Sequence, residues 1–197
     1  MKKLNFIPVI ALAAILLSFK VISSSEWSLD KAHAKLGFSV THLMVSDVEG
    51  SFKITEASIT SNNDDFTDAV VTLTADANTV NTDNEQRDGH LKSADFFDAA
   101  KYPTITFKSF YFRKTKDKKY SVKGNLTMHG VTRPVELIAV ANTGIHPFTK
   151  KSIAGFKITG KLKRSDFGIG ASTGSSIVSD EVLINANAEF SKNDVVK

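Results

Sequence analysis

The 197-residue chain contains no cysteine. A disulfide framework, a thiolate nucleophile and a cysteine-based zinc site are therefore all excluded. A lipid anchor added at a cleavage site is excluded as well, because that attachment needs a cysteine. The folded domain must rest on its hydrophobic core, and a chain of this length with 42% hydrophobic residues can supply one.

An apolar run long enough to cross a membrane is also missing from the start of the chain. The apolar stretch Ile7–Leu17 is much shorter than the roughly 20 residues of a membrane-spanning helix. It follows Lys2 and Lys3, and the small residues of segment 18–25 come soon after it. A basic start, a short apolar run and small residues form the three-part pattern of a secretory signal.

This pattern predicts a cleaved signal peptide over residues 1–25, with cleavage between Ser23 and Glu26. One folded domain over residues 26–197 remains, and we expect it in the periplasm or secreted. An uncleaved membrane anchor is the alternative, but Lys20 interrupts the segment almost at once.

No strong excess of charge remains in the predicted mature chain. Removing the leader's three lysines from the 25 basic residues leaves 22, against 21 acidic residues. A net charge this small gives no electrostatic footprint for nucleic acid, so we predict no nucleic-acid partner. The oligomeric state stays open.

Polar and apolar residues alternate along most of the domain, which is typical of half-buried strands. Turns are predicted at Asp117–Lys119, at His129-Gly130 and at Arg133-Pro134. The eight alternating segments are 35–41, 48–55, 71–77, 104–112, 120–128, 135–141, 154–163 and 182–190.

Eight antiparallel strands with one apolar face each can close into a barrel or fold as a sandwich. Closure removes the exposed edges that would otherwise promote aggregation. An eight-stranded barrel is just wide enough to be filled by side chains or to hold one small ligand, and periodicity does not separate these two cases.

One segment breaks the alternation. Thr82 and Glu85 have the spacing of a capping box, with the hydroxyl at the N-cap and the glutamate at N3. This predicts a short helix over about residues 82–94 near a barrel end, with Phe96 and Phe97 packed beneath it.

A set of motifs in fixed order carries a resemblance to a known family. The motifs are Trp27–His33 (WSLDKAH), Phe38–His42 (FSVTH), Val48–Phe52 (VEGSF), Arg87–Asp98 (RDGHLKSADFFD), Tyr102–Ser109 (YPTITFKS), Gly124–Thr132 (GNLTMHGVT) and Arg164–Gly168 (RSDFG). Over nearly all of residues 27–190 the chain resembles the YceI-like family. The resemblance implies a periplasmic or secreted, lipocalin-like barrel that binds a long isoprenoid or another amphiphilic chain in its pore. It implies neither catalysis nor a cofactor.

The apolar faces predict which side chains point inwards, and under this resemblance they become the pore lining. From periodicity alone they form either a packed core or the wall of a cavity. Small residues on the same faces, such as Gly50, Gly124 and Ala186, favour an open lumen. The thirteen predicted lining residues are Phe38, Val40, Phe52, Ile54, Leu73, Ile105, Phe107, Leu126, Leu137, Phe156, Ile158, Val182 and Ile184.

Polar side chains of the predicted helix could meet a ligand's head group. Arg87 and Lys92 suit a phosphate, and Asp88 and His90 suit a hydroxyl or an amide. The alternative is an ion-paired cap that closes the barrel and touches no ligand.

Other chemistry has little support. The five histidines form none of the usual metal-binding spacings, so we predict no metal and no cofactor. Gly168-x-Gly170 does not open a helix, and we interpret it as a flexible hairpin loop rather than a phosphate loop.

We therefore predict an exported protein, not an enzyme, that holds a long-chain lipid for transport or storage. Transient contact with a membrane is compatible with that role. An enzyme acting on an amphiphile at the barrel mouth is the alternative, and a stress or adhesion protein that uses its outer surface is a third possibility.

Overall fold

The computed structural model describes residues 24–194, which form a closed barrel of eight antiparallel strands in sequence order. The predicted fold class is therefore confirmed. The strands are β1 (Ser25–His42), β2 (Ser46–Ser61), β3 (Val70–Asn81), β4 (Thr104–Lys116), β5 (Lys119–Met128), β6 (Val131–Ile145), β7 (Ser152–Lys163) and β8 (Glu181–Lys192).

A short helix, α1 (Glu85–Lys92), lies between β3 and β4, and one 3-10 turn (Arg164–Phe167) follows β7. No helix within residues 24–194 is long and apolar enough to cross a membrane. The predicted signal peptide lies outside the described residues, except for its last two.

Several strands are longer than the alternation indicated. Strand β1 has 18 residues, about three times the usual length. Its pairing with β8 shifts register between Asp30 and Ala34, and such a bulge interrupts the two-residue period. The alternation therefore becomes visible only after the bulge, and the first part of the strand was missed.

The predicted turn at Arg133-Pro134 is wrong, because both residues lie within β6. Proline has no N–H and is normally excluded from the middle of a sheet. Strand β7 pairs with β6 only from Leu137 onwards, so β6 is locally an edge strand at Pro134, and edge strands tolerate proline.

The predicted N-cap of the helix is also wrong. Asn84, not Thr82, caps α1: its Oδ1 accepts a hydrogen bond of 2.9 Å from the backbone N–H of Arg87. Asp83 has a φ of 58°, which turns the chain just before the helix and moves the cap by two residues. Asparagine and threonine both suit an N-cap, so spacing alone did not separate them.

The loop between β2 and β3 plugs one end of the barrel, which we call the closed end. Phe66 of this loop is only 1% exposed, and its ring lies 5.1 Å from Trp27 and 5.2 Å from Phe156. The Tyr120 hydroxyl donates a 2.7 Å hydrogen bond to the carbonyl oxygen of Asp65 and fixes the loop from the opposite wall.

Asp68 holds the same loop together. Its carboxylate accepts hydrogen bonds from the hydroxyl of Ser61 (2.6 Å), from the side-chain amide of Asn62 (2.8 Å) and from backbone N–H groups of Asn62 and Asn63. These donors, that of Ser61 first, lower the pKa of Asp68 from 3.8 to about 2. The loop therefore depends on a charged carboxylate.

Replacing Asp68 with asparagine should lower the free energy of unfolding by about 1 kcal/mol at neutral pH. The expected loss is small because Asp68 is exposed and solvent screens its charge. The wild-type contribution is complete above pH 3.8 and disappears as the pH falls through about 2, where the native carboxylate takes up its proton. Urea unfolding of both proteins at neutral pH and near pH 2 measures the difference, which should shrink in acid. Asp64→Asn, at a side chain 90% exposed, is the control. A difference independent of pH would contradict this account.

Candidate functional site

The barrel encloses a cavity of about 520 Å³, within the range of roughly 300–1,000 Å³ that is usual for ligand sites. Every strand contributes apolar side chains to its wall, among them Phe52, Phe107, Leu126 and Ile158. Closing eight strands into a ring gives an interior wide enough for such a cavity.

All thirteen side chains predicted to point inwards line this cavity; that they contact a ligand stays a prediction. They are Phe38, Val40, Phe52, Ile54, Leu73, Ile105, Phe107, Leu126, Leu137, Phe156, Ile158, Val182 and Ile184.

Exposure along the barrel shows that the middle is hollow. Phe38, Leu73, Leu126 and Ile184 are only half-buried although they point inwards, because part of their surface faces the cavity. Nearer the ends the side chains are packed, and Ile105 is only 3% exposed. The interior is therefore a lumen, with packed layers of side chains near its ends that leave an opening at one of them. Periodicity did not decide whether the interior is hollow or packed.

Three glycines let large side chains lie flat against the wall. A Cβ atom on Gly50 would lie 2.3 Å from the ring of Phe38, and one on Gly160 would lie 2.4 Å from Leu137. Gly124 has the same relation to the ring of Phe107. The glycines therefore do not leave empty space themselves, as the sequence suggested. They keep the lumen open by letting their neighbours lie along the wall instead of across the pore.

The end opposite the closed end is the mouth, where the cavity reaches the surface. Exposed residues line the cavity here, including His90 and Ile177, whereas the described lining residues at the closed end are buried or half-buried. Phe96 and Phe97 lie between α1 and the lumen. The Phe96 ring packs 5.0 Å from His90, and the Phe97 ring packs 5.1 Å from Phe52.

Arg164 organises one side of the mouth. It is 6% exposed, lies at the start of the 3-10 turn and contributes to the cavity wall. Its five N–H groups donate to the backbone oxygens of Ile169, Gly170, Thr173, Val178 and Ser179. The loop joining β7 to β8 is therefore a hairpin loop as interpreted, and one guanidinium anchors it through five hydrogen bonds. Its flexibility stays a prediction.

The four side chains predicted to meet a head group, Arg87, Asp88, His90 and Lys92, divide into two kinds, and Lys92 lies outside the cavity lining. Arg87 and His90 line the cavity, and Asp88 does not. Asp88 instead accepts hydrogen bonds from the backbone N–H (2.8 Å) and the hydroxyl (2.6 Å) of buried Thr82. Arg87 donates to the same hydroxyl from Nε at 2.7 Å and to the Thr82 carbonyl at 2.8 Å. Thr82 therefore joins Asp88 and Arg87 through hydrogen bonds. Within residues 24–194 neither Arg87 nor Asp88 is in an ion pair.

The charge of the lining has one sign. Arg87 and Arg164 are its charged side chains, and no aspartate or glutamate within residues 24–194 lines the cavity. Sequence reasoning missed Arg164 as a site residue, because its partners are backbone oxygens, which leave no pattern in the side-chain sequence.

A second polar cluster lies on the outer wall, at the bulge of β1. His33 Nδ1 lies 2.8 Å from Asp30 Oδ2, and β1–β8 pairing brings Glu189 beside them. Ligand atoms of these three residues lie within 4.8 Å of one another. The hydrogen bond to His33 lowers the pKa of Asp30, and the same bond raises the pKa of His33. Histidine spacing did not indicate this cluster, since Glu189 is near the other end of the chain.

Comparison with known proteins gives a consistent result. Residues 27–190 match the YceI-like domain family. The chain is 35% identical to protein YceI of Salmonella newport over 177 residues, which cover 88% of this chain and 92% of that protein. Burkholderia cenocepacia BcnA has a similar structure, with a TM-score of 0.72, 26% identity and coverage of 82% of this chain and 98% of that one.

A polyisoprenoid-binding domain from Saccharophagus degradans has a TM-score of 0.60 and covers 85% of this chain and 98% of that domain. Its identity to this chain is 18%, so it shows a likeness of fold alone.

Proposed function

The chain belongs to the YceI-like domain family, and from this premise we propose that it binds one long-chain amphiphile, an isoprenoid or a fatty-acid-like lipid, with the tail in the barrel. The observation that carries the proposal is the hollow, apolar lumen that residues 24–194 enclose and that reaches the surface at the mouth. The Saccharophagus degradans domain, which is described as polyisoprenoid-binding, has a similar fold, so a barrel of this architecture is compatible with such a ligand.

The energetics favour transport or storage. Burying one methylene group gains about 0.8 kcal/mol, so a tail of roughly fifteen carbons gains about 12 kcal/mol over water before association costs. A lipid in a bilayer already has most of that gain. Exchange between membrane and barrel is then nearly neutral, which suits a reversible carrier.

The head group should sit at the mouth, against Arg87 and His90. The charged lining residues are both cations, so a carboxylate or phosphate is favoured there. Arg87 uses Nε and one terminal nitrogen on Thr82, which leaves its other terminal nitrogen to donate to a ligand. In this proposal Asp88 positions Arg87 through Thr82 and does not touch the ligand.

We further propose that residues 1–25 are removed on export and that residues 26–197 act in the periplasm or outside the cell. The basic start and short apolar run of the leader support this. The mass of the exported protein tests both the cleavage and its position.

We propose a binding protein and not an enzyme. An enzyme acting at the mouth is not adopted, because no observation favours it: His90 lies 3.6 Å from Asp95, and both side chains are exposed to solvent. None of the relatives described above is named as an enzyme.

Organic extraction of the purified protein, followed by mass spectrometry, tests this function. We expect one long-chain species per chain. The delipidated protein should bind a fatty acid more tightly than the alcohol of equal length, by about fivefold, because Arg87 adds a partly exposed charge-assisted hydrogen bond. Arg87→Ala should remove that preference, and Lys92→Ala, on the same helix but outside the lining, should not. Absence of any extracted lipid together with no uptake would overturn the proposal.

A further inference from the structure

The tip of the β1–β2 hairpin presents three large apolar side chains to solvent. Leu43 is 54% exposed, Met44 is 78% exposed and Val45 is 86% exposed. Ile177, from the β7–β8 loop beside it, is 49% exposed. We call these four residues the apolar rim. It borders the mouth, since Ile177 also lines the cavity.

The backbone of this tip adopts a conformation that its residues disfavour. Val45 N–H donates to the carbonyl of His42 at 3.1 Å, so residues 42–45 form a β-turn. Both central residues have positive φ, 51° at Leu43 and 59° at Met44. Turns of this kind are normally built from asparagine and glycine, because other side chains are strained there. Because the Leu43 and Met44 side chains are exposed, packing within the protein does not offset that strain. These two residues therefore have a role other than stabilising the fold.

Backbone hydrogen bonds join the hairpin tip to the β7–β8 loop at the mouth. Leu43 N–H donates to the carbonyl of Ile177 at 2.9 Å, and Ser179 N–H donates to the carbonyl of Thr41 at 2.9 Å. The same loop is tied to Arg164, so the hairpin tip and the loop form one continuous surface.

This surface carries almost no charge. Segments 39–46 and 167–179 contain no Asp, Glu, Lys or Arg, although 23% of the chain is charged. The charged residues that directly adjoin these segments in the sequence are Asp47, Asp166 and Asp180. A nucleic acid or an anionic surface would find no cation in these segments. An uncharged apolar surface of this kind is complementary to a zwitterionic lipid surface.

The size of the rim argues against a second copy of the chain. A stable dimer buries about 800 Å² on each partner and involves about 20–30 residues a side. Four apolar side chains fall well short of that. Insertion into the interfacial layer of a bilayer needs only a few apolar side chains, since each gains separately by leaving water.

We propose that the apolar rim inserts into the surface of a zwitterionic phospholipid bilayer and sets the cavity mouth against the membrane. The amphiphile then passes between bilayer and lumen without crossing water. This inference rests on the proposed function, and it adds where and how the ligand enters.

Replacing Leu43 with asparagine and Met44 with glycine provides a sharp test, because that pair suits the turn. The double variant should unfold at a temperature a few degrees higher than the wild type, since the strain is relieved. Its binding to phosphatidylcholine vesicles, measured by flotation, should be weaker by about tenfold or more. Loss of binding in a more stable protein cannot come from misfolding.

Phe148→Asn is the matched control, at a residue 87% exposed in the β6–β7 turn at the closed end. It should leave vesicle binding unchanged, and wild-type binding should resist added salt. Wild-type protein that does not bind these vesicles, or whose binding is lost with Phe148→Asn and kept in the double variant, would overturn the inference. A wild-type dimer in sedimentation that the double variant abolishes would do the same.

Uptake of a fatty acid from solution separates the inference from the function on which it rests. The double variant should take up the dissolved fatty acid as the wild type does, and should acquire it about tenfold more slowly from vesicles. Equal rates from vesicles would remove the docking role and leave the binding function intact. Failure of the wild type to take up the ligand from either source would remove the function itself.

Discussion

Ile184→Trp should reduce ligand affinity by about 100-fold or more while the barrel stays folded. Ile184 is half-buried and projects into a lumen of about 520 Å³, so a larger aromatic ring occupies volume that a lipid tail needs, and each displaced methylene group costs about 0.8 kcal/mol of binding. Filling an existing cavity with apolar atoms does not force the packed layers apart, so stability should change little or rise.

Leu183→Trp is the control for this change. Leu183 is the preceding residue of β8, faces outwards and is 40% exposed, so the same tryptophan there lies on the outer wall. Calorimetric titration with a fatty acid and thermal unfolding of both variants give the two readouts. An Ile184→Trp protein that binds with wild-type affinity would show that the ligand does not occupy the lumen.

Arg164→Leu should lower the free energy of unfolding by about 3–4 kcal/mol, which corresponds to a fall in Tm of about 10 °C. The substitution leaves five backbone oxygens without their donor, and some of them lie too deep in the loop to bind water instead. Leucine is close enough in size to fill part of the space, so the loss reports mainly on the hydrogen bonds. Chemical denaturation measures it directly.

Arg164→Lys should recover only part of that loss, because an ammonium group has three donors and lacks the planar fork. The control is Arg133→Ala. Arg133 is an exposed arginine whose Nε also donates to a backbone oxygen, that of Asp166 at 3.1 Å. Its removal should cost less than about 0.5 kcal/mol. Equal losses at the two arginines would contradict the role given to Arg164.

Alternation in the sequence predicted the direction of each side chain, but not the space between them. Phe38 and Leu126 were predicted to point inwards, and both line the cavity. Whether such residues meet across the barrel depends on its radius and on where a ring can lie against the wall. The Phe38 ring lies against the wall because Gly50 is its partner on the neighbouring strand. That pairing depends on the register between β1 and β2, which alternation does not give.

The polar parts of the site were harder to predict for a related reason. Arg164 binds carbonyl oxygens, which every residue carries, so its role depends on the path of the loop and not on side-chain types. Asp30 and Glu189 meet because the first and last strands pair. The local signals that did exist, such as Thr82 three residues before Glu85, gave a helix in the right place with its cap displaced by two residues.

The order of the strands also governs how the barrel can form. Each strand pairs with its neighbour in sequence, except that β8 must return to β1, with Lys192 opposite Trp27. Hairpins close short loops and form early, whereas this last pairing joins the two ends of the domain and carries the largest loop-closure entropy. Until β8 is in place, β1 and β7 both present unpaired backbone edges. The ring is therefore completed only when the C-terminal strand is available, and the lumen comes into existence at that step.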